Sequence, residues 1–203
     1  MILYRVFDEV FRSWSHVAVL RALLDTTSGC TGNEVARLSG MHPRSAIKAL
    51  TSLEQLGIVN RQRGGRDHNF TLNRNHFLVQ SVVEPVYKAE QEFYQLIIHA
   101  LAKKLRRVVL NATIFGSVAK RTETPFSDLD LCCIVKTEEQ KESVRNLLNT
   151  DAQKLYSIFG VKVAPLFLTL EELKKKNKTH LVRDMLDHGM LVTGKKLKVL
   201  LDG

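Results

Sequence analysis

Two carboxylates and a glycine–serine pair are the residues whose types and spacing could do chemistry. Asp128 and Asp130 lie two positions apart in an apolar segment, so a strand would direct both side chains to one face. Gly116 and Ser117 directly follow another apolar segment. A glycine allows close backbone approach, and a hydroxyl with nearby amides at a helix N-terminus can hold a triphosphate. Paired carboxylates bind Mg²⁺ or Mn²⁺, which share oxygen ligands with phosphates. The four residues therefore predict a metal-dependent nucleotide site.

Two segments, Thr113–Ser117 and Ser127–Leu131, together carry a family resemblance. Over about residues 106–200 the chain resembles the minimal nucleotidyltransferases of the DNA polymerase β superfamily, in which one strand ends in Gly-Ser and a second carries Asp-x-Asp. The resemblance implies transfer of a nucleoside monophosphate from an NTP to an acceptor. It also implies that Asp128 and Asp130 are catalytic metal ligands for Mg²⁺ or Mn²⁺, with nucleotide bound at Gly116 and Ser117.

The next predicted strand, 161–168, departs from the family pattern because it contains no acidic residue. Active relatives generally carry a third carboxylate there, which helps to position and deprotonate the nucleophile. Lys162 or Ala164 stands at that position, and Arg121 replaces a small residue after the Gly-Ser helix turn. Glu171 or Glu172 could substitute for the missing acid, but a capping box opening the following helix explains them more simply.

The missing acid leaves two functions open. One is a nucleotidyltransferase. The other is a DNA-binding transcriptional regulator, or an antitoxin-like protein, whose nucleotidyltransferase-like domain binds nucleotide without catalysis. Relatives of this domain also act as antitoxins beside a small toxin partner.

The charge balance favours polyanionic partners, either nucleic acid or phosphorylated small molecules. The 203 residues include 30 basic and 21 acidic side chains, giving a net charge of +9, and both halves of the chain carry the excess. Three cysteines are too few for a disulfide scaffold and suit a reducing compartment. No apolar run approaches the roughly 20 residues that span a bilayer. We therefore expect a cytoplasmic protein without a membrane segment.

Residues 1–75 follow the order of a winged helix-turn-helix of the arsenic-repressor type, which they resemble over about residues 16–75. Short helices lead to a helix from Pro43 to Leu56, and two short strands then flank a Gly-Gly turn. The Pro43–Leu56 helix would be the recognition helix in the major groove of double-stranded DNA. Its pattern turns Ile47 inward. The predicted DNA contacts are Arg44, Ser45, Lys48, Arg63 and Arg66, with Arg61 as a further basic residue of the wing.

Residues 76–107 predict a long linker helix that Pro85 starts or kinks. Its apolar residues form two stripes, one with the alternating three- and four-residue steps of a coiled-coil seam. Such a helix needs two partners, either the two domains of one chain or a second subunit. A homodimer through this helix and a connector packed within one chain both remain open.

From residue 108 to 203 the pattern alternates between strands and helices. It predicts strands over 108–115, 129–135 and 161–168, with a helix over about 138–159 between the last two. The predicted fold class is therefore α+β: an N-terminal winged helix-turn-helix, a long linker helix, and a C-terminal nucleotidyltransferase α/β domain with a mixed sheet. The corresponding domain boundaries are 1–75, 76–107 and 108–203.

Overall fold

The computed structural model describes residues 4–64 and 67–202, and the chain divides into two compact units, residues 1–92 and 93–203. The boundary between the units falls inside one long helix. The predicted division at residues 75 and 107 stays a prediction. No helix among the described residues is both long and apolar enough to cross a bilayer.

The first unit combines short helices with a small antiparallel sheet of order β1-β3-β2. Its core is built mainly from residues of α2, α3 and α4 with Phe70 of β3. The elements are α1 (Val6–Val10), α2 (Trp14–Leu24), β1 (Cys30–Thr31), α3 (Gly32–Leu38), α4 (Pro43–Gln55), β2 (Val59–Arg63) and β3 (His68–Leu72).

Local sequence signals account for the α3–α4 pair. Thr31 and Glu34 form a capping box at the start of α3, and Gly40 in the turn has φ +66°, which glycine adopts without steric cost. Pro43 begins α4, where its missing N–H costs no helical hydrogen bond. The predicted orientation of α4 is wrong at Ile47, which is 42% exposed. The buried positions of α4 are Ala46, Ala49, Leu50 and Leu53.

The long helix α5 spans Glu84–Leu105 and directly follows a π-helical segment, Val79–Val83. The helix does not begin at Pro85, since the Glu84 N–H already donates to the Val79 carbonyl in the wider π turn. Proline has no backbone N–H to donate to the helix, and a π turn beside it is one way for the helix to accommodate the missing hydrogen bond. Leu101 and Leu105, which belong to the stripe beside the predicted coiled-coil seam, are buried. Val86, Phe93 and Leu96, which belong to the seam itself, are 54%, 45% and 52% exposed.

The second unit contains a four-stranded sheet of order β6-β5-β4-β7. Strands β5 and β6 run parallel and the other pairs antiparallel, which confirms the predicted mixed sheet. Cys133 packs on one face and Cys132 on the other, as expected for neighbours on a strand. The elements are β4 (Asn111–Ile114), α6 (Gly116–Lys120), β5 (Leu129–Val135), α7 (Glu138–Phe159), β6 (Val163–Thr169), α8 (Leu170–Lys175), α9 (His180–His188), β7 (Met190–Gly194) and α10 (Leu197–Asp202).

Two predicted strands are shorter than their apolar runs. The run from Val108 to Phe115 predicted one strand, but β4 begins only at Asn111, because the Val108 amide donates to Leu105 in the turn that ends α5. The run from residue 161 gives β6 from Val163. Strand β5 and helix α7 have the predicted bounds.

Candidate nucleotide site and candidate nucleic-acid surface

The antiparallel pairing of β4 with β5 brings the Gly-Ser turn to the aspartates. Ile114 at the end of β4 is in register with Leu131 of β5. The pairing continues one step further, where the Phe115 amide donates to the Asp130 carbonyl at 3.0 Å. The end of one antiparallel strand lies beside the start of its neighbour, so Gly116 follows β4 at the point where Asp130 enters β5.

Gly116 is in direct contact with the Asp130 side chain. Its φ of +70° is the left-handed conformation that L side chains rarely adopt. A Cβ atom at this position would overlap Asp130 Oδ2 and lie 3.1 Å from Asp130 Cγ. The backbone conformation therefore favours glycine at residue 116, and any larger residue would have to displace the Asp130 carboxylate.

Asp130 is a partly buried carboxylate next to a second one. Burial raises the pKa of Asp130, and the nearby negative charge of Asp128 raises this pKa further. Within residues 4–64 and 67–202, no hydrogen-bond donor reaches the Asp130 carboxylate. Its oxygens are therefore available to a cation, and two carboxylates are a donor set that suits Mg²⁺ or Mn²⁺. In the described part of the chain, no group of three or more His, Cys, Asp and Glu residues could hold a metal.

The parallel register of β5 with β6 identifies the residues opposite the two aspartates. Asp130 pairs with Ala164. One step earlier, the Leu129 amide donates to the Lys162 carbonyl at 2.8 Å, and Lys162 Nζ lies 3.4 Å from Asp128 Oδ2. The neighbour of Asp128 is thus the Lys162 ammonium, and the neighbour of Asp130 on β6 is Ala164, whose side chain is a methyl group.

Glu172 does not replace the missing acid. Its carboxylate accepts a hydrogen bond from the Thr169 amide at 2.8 Å in a capping box and contacts the Lys141 ammonium at 2.5 Å. The hydrogen bond from Lys141, together with that from Thr169, lowers the pKa of Glu172. Glu172 therefore caps α8, as its sequence pattern also predicted.

Helix α6 carries Ser117 and is only five residues long. Ser117 is partly buried, and its carbonyl accepts from the Thr122 amide at 3.0 Å. Lys120 at the end of α6 lies 2.6 Å from Asp184 of α9, and this hydrogen bond lowers the pKa of Asp184. Lys120 therefore joins α6 to α9.

The predicted DNA-contacting residues of α4 share an exposed surface. Arg44, Ser45 and Lys48 are all exposed, and spacings of three and four residues put them on one side of a helix. Within the described residues, neither Arg44 nor Lys48 lies in an ion pair. Arg63 at the end of β2 is exposed as well. Arg66 lies outside the described residues.

Arg61 has a different role from the other wing residues. Its guanidinium contacts Glu54 at 2.8 Å, donates to Thr51 at 2.9 Å and lies 5.1 Å from the centre of the Phe70 ring. These contacts join α4 to the β2–β3 hairpin. Sequence reasoning missed this role because the residues concerned lie apart in the chain, and because Arg61 and Arg63, two positions apart in β2, share one face of the strand and look alike in the sequence.

Residues 96–192 match a family model described as a nucleotidyltransferase domain, which covers a little under half of the chain. One similar solved structure is described as a toxin-antitoxin with AMP-PNP; it is 19% identical and aligns over 52% of this chain and 81% of its own, with a TM-score of 0.38. A second, a mutant form of the toxin-antitoxin MntA-HpeT, is 15% identical over 52% of this chain and 80% of its own, with a TM-score of 0.34. No curated protein matches the chain.

Proposed function

We propose that the protein transfers a nucleoside monophosphate from an NTP to an acceptor, at a site formed by Gly116, Ser117, Asp128 and Asp130. The observation that carries the proposal is the contact between Gly116 and the Asp130 carboxylate, which joins the two parts of the motif in one place. The family match over residues 96–192 supports nucleotidyl transfer as the general chemistry.

In this proposal Asp128 and Asp130 hold Mg²⁺ or Mn²⁺. The metal would neutralise phosphate oxygens and stabilise the pyrophosphate leaving group. A metal held by the two carboxylates would bind phosphate oxygens that the carboxylates alone would repel, and the Gly116–Ser117 turn would bind the triphosphate. Gly116 contributes by having no side chain, so that the Asp130 carboxylate can lie directly against the Gly116–Ser117 turn.

The test is release of pyrophosphate from each of the four NTPs, with transfer of label from the α-phosphate to added acceptors. Asp128→Asn and Asp130→Asn preserve side-chain volume and should each abolish turnover. Asp187→Asn is the matched control, because Asp187 is an exposed aspartate on α9. Equal turnover by the Asp130→Asn and Asp187→Asn proteins would exclude this site.

We further propose that the first unit is a winged helix that binds double-stranded DNA. The α3–α4 pair with its glycine turn, followed by the β2–β3 hairpin, supports this assignment. The exposed cations Arg44, Lys48 and Arg63 support a phosphate-contacting surface, with Ser45 as a neutral donor. Arg66 remains a prediction from sequence.

A regulator that binds nucleotide without turnover is the second candidate function, and the position of Lys162 favours it. Lys162 and Ala164, and no carboxylate of β6, lie beside Asp128 and Asp130, so the general base that a third carboxylate would supply is missing from that strand. The turnover assay distinguishes the two functions when it is combined with nucleotide binding. Metal-dependent binding of a non-hydrolysable NTP without pyrophosphate release from any NTP would favour the regulator.

We also propose that the exposed seam of α5 takes a second copy of the chain. Val86, Phe93 and Leu96 are about half exposed at the spacing of self-associating helices. Sedimentation equilibrium should give a dimer for the native protein and a monomer for Leu96→Glu. A native monomer at all concentrations would overturn this proposal.

A further inference from the structure

The side chain of Lys162 has one charged neighbour in the described structure, the Asp128 carboxylate. Its Nζ lies 3.4 Å from Asp128 Oδ2, and the side chain is otherwise 75% exposed. The Leu129 amide donates a hydrogen bond to the Lys162 carbonyl and so holds the Lys162 backbone beside the site. The exposed side chain can still move, while its ammonium stays within reach of Asp128.

The ammonium changes which cation the two aspartates can accept. Two neighbouring carboxylates attract a divalent ion strongly, but a fixed positive charge beside one of them repels the same ion. A metal–triphosphate complex carries a net negative charge, so the same ammonium attracts it. Lys162 therefore opposes binding of the free metal and favours binding of the metal with its nucleotide.

Because its side chain is exposed, Lys162 can contact Asp128 in the empty site and a phosphate oxygen in the site that holds a metal–nucleotide complex. Without ligand, the ammonium forms an ion pair with Asp128. When the metal–nucleotide complex arrives, the ammonium can leave the carboxylate for a phosphate oxygen, because no other described residue holds it by an ion pair. An exposed ion pair is weak, so this exchange costs little.

We propose that Lys162 is a positioning residue that makes binding of the divalent ion depend on nucleotide. In the empty site its ammonium pairs with Asp128, so the divalent ion binds together with the triphosphate and not before it. This inference rests on the proposed nucleotide site and adds an order of binding to it.

The test measures binding of Mn²⁺ by electron paramagnetic resonance, with and without a non-hydrolysable ATP analogue, at low ionic strength. Lys162→Met keeps the stem and removes the charge, and it should raise the affinity for free Mn²⁺ by about two- to fivefold while lowering the affinity for the Mn²⁺–nucleotide complex. Lys162→Arg should restore the native order. Lys136→Met is the control, since Lys136 is an exposed lysine directly after the other end of β5. In an Asp128→Asn background, Lys162→Met should change free Mn²⁺ affinity much less.

The outcomes separate the inference from the proposed function. Nucleotide-dependent Mn²⁺ binding with equal free Mn²⁺ affinities in native, Lys162→Met and Lys136→Met proteins would overturn the role of Lys162 alone. Absence of Mn²⁺ binding in every protein, with nucleotide present, would overturn the proposed site and with it the inference.

Discussion

Gly116 and Asp130 lie in contact across the β4–β5 pair, so closely that a Cβ atom at residue 116 would overlap the Asp130 carboxylate. The glycine has to be there for two separable reasons, its left-handed φ of +70° and the space that Asp130 occupies. A second glycine of the same unit, Gly160 at the end of α7, shares the first reason only, since it has a φ of +67° but no atom within 4 Å of its added Cβ.

Alanine substitution should therefore separate the two effects. Gly160→Ala should lower the free energy of unfolding by about 1 kcal/mol, the cost of the left-handed conformation. Gly116→Ala should cost more and should also displace Asp130, reducing binding of a Mn²⁺–nucleotide complex by about tenfold, that is by about 1.4 kcal/mol. Urea unfolding measures the free energy of unfolding, and electron paramagnetic resonance of Mn²⁺ measures the affinity for the Mn²⁺–nucleotide complex.

Asp130→Ala supplies the internal control for this pair. In that background Gly116→Ala should cost no more than Gly160→Ala, because the overlapping atoms are gone. Equal costs for the two glycines in the native background would contradict the contact.

The α4 surface predicts a salt dependence. Removing two phosphate-contacting cations with Arg44→Ala and Lys48→Ala should weaken duplex binding and reduce the slope of log affinity against log salt by about 1.8. Fluorescence anisotropy at several salt concentrations measures both. The control is the double variant Arg12→Ala with Lys88→Ala, which removes the same total charge. Arg12 and Lys88 are already paired with Glu9 and Glu92. An equal loss of slope in both double variants would indicate a general charge effect in place of a surface on α4.

Arg61 and Arg63 should separate stability from DNA binding. Arg61→Ala removes the contacts with Glu54 and Phe70 and should lower the free energy of unfolding by about 1–2 kcal/mol. Arg63→Ala should leave unfolding unchanged because its side chain is exposed, while weakening duplex binding. If Arg63→Ala destabilised the protein more than Arg61→Ala, the roles assigned here would be reversed.

The sequence predicted those features that depend on neighbouring residues. The bounds of β5 and α7 and the Thr169–Glu172 capping box follow from local periodicity and caps, and the structure has all three. The features that it left open depend on pairing between distant segments. Whether Lys162 or Ala164 stands at the position of the third carboxylate depends on strand register, which a run of apolar residues without alternation does not define.

The exposed side of α4 shows a second limit of sequence reasoning. Ile47 is as apolar as Leu50, so periodicity assigned both to the core. The structure buries Leu50 but leaves Ile47 exposed, and it buries Ala46 and Ala49, whose small side chains let α4 approach its neighbours closely. Hydrophobicity alone does not distinguish such a face from one that is rotated by a single position.

The Lys120–Asp184 pair predicts a dependence of stability on pH. The hydrogen bond from Lys120 is the main cause that lowers the pKa of Asp184, with smaller contributions from the positive charges of Lys120, His188 and His180. A carboxylate with a lowered folded pKa contributes stability above its ordinary pKa of 3.8, and this contribution is lost as the pH falls towards the folded value. Asp184→Asn should therefore lower the free energy of unfolding by about 0.5–1 kcal/mol at neutral pH.

Urea unfolding of native protein and Asp184→Asn over a range of pH provides the measurement. The difference between the two proteins should persist from about pH 8 to about pH 5 and shrink below about pH 4. Asp187→Asn, an exposed neighbour on the same helix, should show no such difference. A difference that grew on acidification below this range would show that the pKa of Asp184 is raised in the folded state.

Cys132 and Cys133 predict a difference in thiol reactivity between folded and unfolded protein. Burial raises the pKa of each thiol to about 12, and both residues are fully buried in the sheet. Since the thiolate is the reactive form, iodoacetamide at mildly alkaline pH should leave both unmodified in the folded protein and alkylate both in urea. Mass spectrometry of the peptide that contains the pair measures this. Rapid labelling under native conditions would mean that β5 opens locally, and labelling should then also follow the exchange of the β5 amide hydrogens.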